Sequence, residues 1–382
     1  MTEDNKLLLE ILRCSLWDAE KQGEEIPDHI RTELCDQTVE GLTAIAYSDT
    51  QNLKYEQTAR FVNLAHLQRK AIQQLQSAGI PVVVIKGMAA GFYYPHPQLR
   101  TYGDIDLLVP PEHYAASIKQ MRENGYSQQG DIGSYHTALW KDEVLFELHQ
   151  SPPHMEDVPE GEYMLRFMRE GFGNIQTGVI ESSNCVFPML PWQQNGLELI
   201  WHFREHLYNG IGLRHVIDWM MFVNACLDDL TFQQYKSVLE QAGLLTLAKT
   251  VTKMCQLYLG LKEESITWCS DVTPSLCAEL MNYIFEQGNF GTKKTDDKAA
   301  KVLTRYRRPI AFLKGMQRKG LNEWPAAQKH PYLKPFAWLY VGILGAKSYL
   351  SPAGWETLKI ARTVSSQRKK LFDQLFGEKT KK

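Results

Sequence analysis

Asp104 and Asp106 stand one residue apart inside an apolar run, Gly103-Asp104-Ile105-Asp106-Leu107-Leu108-Val109. In a strand, residues i and i+2 point to the same face, so the two carboxylates project side by side while Ile105 and Leu107 pack on the other. Two like charges held together at the edge of a core are costly unless something positive sits between them. A divalent cation is the simplest such group, and Mg²⁺ favours carboxylate oxygens together with substrate phosphate.

Two further features can converge on that pair. Lys86-Gly87 closes the apolar, β-branched run Ile80-Pro81-Val82-Val83-Val84-Ile85 and opens a helix. A glycine there lets a phosphate approach the backbone, and a helix N-terminus offers unpaired N–H groups to an anion. Downstream, Leu145-Phe146-Glu147-Leu148-His149 reads as a strand with Phe146 and Leu148 on one face. Glu147 shares the opposite face with Leu145 and His149, where it can supply a third carboxylate.

These residues resemble the nucleotidyltransferase superfamily with the DNA polymerase β-like fold, and more closely its bacterial branch of uncharacterised nucleotidyltransferases. The carrying motifs are Lys86-Gly87, Tyr94-Pro95, Arg100, Asp104-Ile105-Asp106 and Glu147-Leu148-His149, in that order. The resemblance covers about residues 55–150, and a looser one runs on through the helical part. It implies a mechanism in which Asp104, Asp106 and Glu147 hold two Mg²⁺ ions, with Mn²⁺ as the alternative. One ion would clamp an NTP triphosphate and the other would lower the pKa of an acceptor hydroxyl. Attack on the α-phosphate would release pyrophosphate, with Lys86, Gly87 and Arg100 on the nucleotide phosphates. Glu147 would be the base or an ion ligand. The sequence departs from many superfamily members, which carry Gly-Ser where this chain has Lys86-Gly87-Met88, and 16 residues separate Gly87 from Asp104.

A second metal pattern lies at Trp201-His202-Phe203-Arg204-Glu205-His206. On a helix His202 and His206 are about one turn apart, and H-x-x-E-H is the inverted zinc-peptidase order. A zinc hydrolase using His202, Glu205 and His206 is therefore an alternative, with Glu240 as its downstream acid. The resembling branch also carries a histidine-rich helix followed by Arg and Asp. Here that implies His206 and Arg214, with His149, on the substrate side, and an i, i+4 pair of Arg214 with Asp218. A non-catalytic nucleotidyltransferase-fold binding protein is the remaining alternative.

The elements that must position these groups follow from periodicity. Residues 1–51 read as an N-terminal helical segment. Residues 52–190 read as an α/β catalytic domain: a long helix over 52–78, the strand over 80–85, a helix from Met88, the strand over 104–109, a helix over 112–124, and a hairpin of 136–140 with 144–149. Beyond Pro191 the spacing is helical, giving a substrate-side domain over 191–300 and a C-terminal helical region over 301–382 with a basic tail that frays. The fold class is α+β: a polymerase β-like mixed sheet flanked by helices, with a mostly helical remainder.

Composition sets the outer bounds. Of 382 residues, 44% are hydrophobic and the net charge is −2, which gives no global attraction for nucleic acid. A nucleic-acid-end transferase would need the local clusters Arg305–Arg308 and Arg368–Lys370. Seven scattered cysteines without a CxxC, and acids at the N-terminus where a signal peptide carries bases, point to a reducing cytoplasm. The apolar stretch Pro335–Leu350 is too short to span a bilayer and reads as a buried helix, with a surface-attached helix as the alternative on Trp338 and Tyr340. The partners implied are an NTP and an unidentified hydroxyl acceptor. Nothing in the sequence speaks to oligomeric state.

Overall fold

The computed structural model describes residues 1–17, 25–47, 50–130, 132–133, 135–288 and 368–376, and parts of 313–349. Its frame is one mixed sheet of seven strands: β1 (Val83–Val84), β2 (Ile105–Leu108), β3 (Ser127–Gln128), β4 (His136–Lys141), β5 (Val144–His149), β6 (Gln176–Ile180) and β7 (Cys185–Met189). They lie in the order β3-β4-β5-β2-β1-β7-β6. Strand β1 is antiparallel to β2 and parallel to β7, while β2 is parallel to β5. Buried on both sides, β1 needs the continuous apolar run that its sequence shows.

The register of β2 on β5 decides the site. Ile105 lies opposite Phe146, Asp106 opposite Glu147, Leu107 opposite Leu148 and Leu108 opposite His149. Ile105, Leu107, Phe146 and Leu148 therefore share one face and are buried. The β4–β5 hairpin holds that register through a two-residue turn, Asp142-Glu143, with φ of 50° and 61°. Positive φ at both central residues matches the right-handed strand twist, although glycine is absent.

Helices among the described residues include α1 (Glu3–Leu16), α2 (Asp28–Asp36), α3 (Gln51–Ser77), α4 (Gly87–Gly91), α5 (Tyr114–Glu123), α6 (Gly161–Glu170), α7 (Trp192–Asn209), α8 (Leu213–Cys226), α9 (Asp229–Gln241), α10 (Leu245–Leu259), α11 (Pro274–Gln287), α12 (Pro325–Lys329) and α13 (Ala337–Tyr349). Helices α3 and α5 cover the apolar face: Tyr126, just past α5, stacks edge-on against Phe146 and its hydroxyl donates to Gln74 of α3. Helices α7 and α8 stand over the carboxylate face. Most of the buried apolar side chains among the described residues form one cluster that runs from Leu8 to Leu375. Trp17 Nε1 donates to Leu259 O at 2.7 Å, and Trp219 Nε1 to Thr252 Oγ1 at 2.9 Å.

Several expectations change. The segment between the hairpin and Pro191 holds α6 and a second hairpin, β6–β7, which periodicity did not reveal. The tail does not fray at 368–375: that stretch is helical and buries Leu371, Phe372 and Leu375. Helix α13 is covered at Ala337 but not along the rest of its described part, where Trp338, Leu339 and Ile343 are exposed. Among the described residues no helix is long and apolar enough to cross a membrane. Arg305–Arg308 lies outside the described residues, and Arg368 is buried against Gln287 at 3.0 Å.

Candidate active site

Strand β1 ends at a strained corner. Lys86 has φ 51° and ψ −136°, a region that non-glycine residues rarely occupy, and Gly87 has φ 25°. Strain of this kind persists only where the surroundings enforce it. Here it turns the Lys86 side chain back onto β2, where Nζ donates to Asp106 Oδ1 at 2.7 Å and lies 3.9 Å from Glu147 Oε2. A Cβ on Gly87 would meet only Asp104 O, at 3.9 Å, so conformation rather than space requires glycine there.

Asp104, Asp106 and Glu147 converge, with one carboxylate oxygen of each within 4.8 Å of the others. His149 is fully buried beneath them, its Nε2 2.8 Å from Asp106 Oδ1 and 3.3 Å from Glu147 Oε2. Carboxylates only accept, so this nitrogen donates. His149 does not line the cleft, and the substrate-side expectation for it gives way to a supporting one.

The electrostatics separate the three acids. Burial opposes charge on Asp106, yet Lys86 and His149 hold its carboxyl well below the usual range. Burial likewise opposes Glu147, and His149 above all outweighs it and lowers the pKa. Asp104 forms no ion pair among the described residues, and the neighbouring Asp106 charge, then burial, pushes it up to about 6. An all-oxygen set with one unbalanced carboxylate fits a hard divalent cation.

The opposite wall of this cleft comes from α7 and α8. A cavity of about 230 Å³ is lined by Lys86, Gly87, Asp104, Asp106 and Glu147 on the sheet side and by His202, Glu205, His206 and Arg214 on the helical side. Arg100 also reaches it, but its guanidinium is committed. Nε donates to Asp218 Oδ1 at 2.7 Å and Nη2 to Oδ2 at 2.8 Å, and the Tyr94 hydroxyl donates to the same carboxylate at 2.8 Å. The expected Arg214–Asp218 pair therefore gives way to a bidentate Arg100–Asp218 bridge between sheet and helices. Arg214 Nη1 instead donates to Thr101 O at 3.3 Å, and its buried Nε has no hydrogen-bond partner among the described residues. Burial, then the nearby Arg100 charge, works against its own charge.

The model of the family described as "Uncharacterised nucleotidyltransferase" matches residues 30–260, which take in the whole cleft. The chain belongs to this nucleotidyltransferase family. No curated protein matches it. Two solved structures to which the chain is similar are the antibiotic-resistance factor ANT(2'')-Ia, at 13% identity over 48% of this chain and 92% of that one, with a TM-score of 0.33; and an antigenic nucleotidyltransferase-like protein from Paracoccidioides brasiliensis, at 13% identity over 52% and 91%, with a TM-score of 0.30.

Two residues of this nucleotidyltransferase escaped sequence reasoning. Glu198, one turn before His202 on α7, is 1% exposed, and neither carboxylate oxygen has a hydrogen-bond partner among the described residues. Burial pushes it up to about 7, against the pull of Lys86. The signal was a polar stripe Glu198–His202–His206 in an otherwise apolar helix. His215, on α8, joins His202 and His206 in a cluster of three rings. Glu240, the acid that the inverted zinc motif would need, is on α9, pairs with Lys236 at 3.7 Å and does not line the cleft.

Proposed function

We propose that this nucleotidyltransferase transfers a nucleoside monophosphate from an NTP to a hydroxyl of a small-molecule, peptide or protein acceptor and releases pyrophosphate. The observation that carries the reading is the convergence of Asp104, Asp106 and Glu147 beside Gly87 in one cleft, with Asp104 unbalanced. These carboxylates would hold Mg²⁺, which supplies positive charge to the phosphate oxygens and acidifies a hydroxyl. The acceptor oxygen forms its bond to the α-phosphorus as the bond to the β-phosphate breaks in line. The hydroxyl proton passes to Glu147 and on to solvent. Lys86 keeps Asp106 ionised and in place, while Gly87 offers its backbone to the departing pyrophosphate. Arg214, which makes no ion pair among the described residues, faces the triphosphate from the helical wall and neutralises charge that Arg100, held by Asp218, does not reach. His206 lies on the acceptor side.

Parallel incubations with α-labelled and γ-labelled NTPs, Mg²⁺ and a cell extract test this. Label retained on an acceptor from the α position, with the γ label appearing in pyrophosphate, supports the reading. Retention of the γ label on the acceptor would make the reaction phosphoryl transfer instead.

A further inference from the structure

The helical wall carries a second set of donors whose chemistry differs from that of the carboxylates. His202 and His206 of α7 and His215 of α8 bring one ring nitrogen each to within 4.8 Å of the others. His202 Nε2 and His206 Nε2 are 3.0 Å apart, close to the roughly 3.3 Å that two nitrogens adopt on one tetrahedral zinc. Ring centroids of His206 and His215 are 4.0 Å apart.

The turn between the helices fixes two of the three tautomers. His206 Nδ1 lies 3.1 Å from Gly210 O, and His215 Nδ1 lies 3.3 Å from Gly212 O. A carbonyl can only accept, so both Nδ1 atoms carry hydrogen, which makes Nε2 the ligating nitrogen of each ring in its neutral tautomer. This is the outer-shell arrangement that orients metal-binding imidazoles. Hydrogen bonding between the rings occupies His202 and His206 but leaves His215 Nε2 buried without a partner among the described residues, in a side chain only 2% exposed. An orphaned buried acceptor carries a desolvation cost that an ion would remove.

We infer that His202, His206 and His215 form a nitrogen-ligand site for a borderline divalent cation of the Zn²⁺ class, with its fourth position open to the cleft. Imidazole nitrogens select such ions, whereas the carboxylates across the cavity select hard ones. Three histidines with one open position is a pattern that zinc uses where it also meets a small ligand. The inference needs neither the NTP nor the transfer reaction: it stands or falls on metal binding alone.

The test is metal analysis of the full chain after dialysis against Zn²⁺, with Co²⁺ as a spectroscopic probe. One equivalent of Zn²⁺ is expected in the wild type and in Asp106→Asn/Glu147→Gln, and its loss in His215→Gln and in His202→Gln/His206→Gln. The Co²⁺ form of the wild type, which needs no variant to fold, should give the intense visible bands of a tetrahedral site. A wild type that retains no Zn²⁺, histidine variants that keep it, loss of Zn²⁺ from the carboxylate variant, or a weak octahedral Co²⁺ spectrum would each overturn the assignment.

Discussion

Lys86 Nζ donates to Asp106 Oδ1 at 2.7 Å, from the end of one strand to the middle of its neighbour, and both side chains are nearly buried. The lysine stands as a fixed counter-charge at the acid that His149 also supports. Removing one partner of a buried pair leaves an uncompensated charge, at a cost of about 3–5 kcal/mol. Lys86→Met should therefore lower stability by that order in urea denaturation without divalent metal. Mg²⁺ should restore more stability to this variant than to the wild type, because an added cation takes over the lysine's role. Equal Mg²⁺ effects on the two proteins would argue against a cation at this site.

Asp104 titrates at about 6 in the folded chain against 3.8 for an ordinary aspartate. The folded state thus holds the proton more tightly than the unfolded one. That contribution to stability is complete below pH 3.8 and is lost as pH rises through about 6. Asp104→Asn should raise the metal-free melting temperature at pH 8, with a gain of up to about 3 kcal/mol, and should not raise it at pH 4. Mg²⁺ competes with the same proton, so wild-type Mg²⁺ affinity measured by calorimetry should weaken as pH falls below about 6.

Arg100 and Arg214 both face the cleft, yet their substitutions should part ways. Arg100→Ala leaves buried Asp218 with only the Tyr94 hydroxyl and no counter-charge, and should cost about 3–5 kcal/mol of stability. Arg100→Lys should rescue it poorly, because lysine cannot reproduce the two-pronged contact on Oδ1 and Oδ2. Arg214→Ala removes a charge that Arg100 opposes, so stability should change little. NTP affinity should fall by about 10–100-fold, the worth of a charged hydrogen bond to phosphate. Denaturation curves and NTP binding on the two variants check both halves.

What the sequence made legible was local. Alternation in Leu145-Phe146-Glu147-Leu148-His149 placed Glu147 on the carboxylate face, and the observed register agrees because Phe146 and Leu148 must be buried. The long helix over 51–77 was readable for the same reason. The β6–β7 hairpin was not, since Gly178 interrupts one strand and Pro188 the other, and both residues count against a strand. Arg100 and Asp218 lie 118 residues apart, so no spacing rule could pair them. The helical rule offered Arg214 instead, and tertiary packing overrode it. His215 falls outside the H-x-x-E-H pattern and enters the cluster only because the Gly210–Gly212 turn folds α8 back onto α7. Helix α13 misled because an unbroken apolar run does not say whether anything covers it.

The central claim is that Asp104 and Asp106 carry nucleotidyl transfer. Wild type and Asp104→Asn/Asp106→Asn, both shown to be folded, are incubated with each α-labelled NTP, Mg²⁺ and a cell extract, and acceptor labelling is measured. The account predicts labelling by the wild type with at least one NTP and its loss in the double variant. Equal labelling by the two proteins would contradict it.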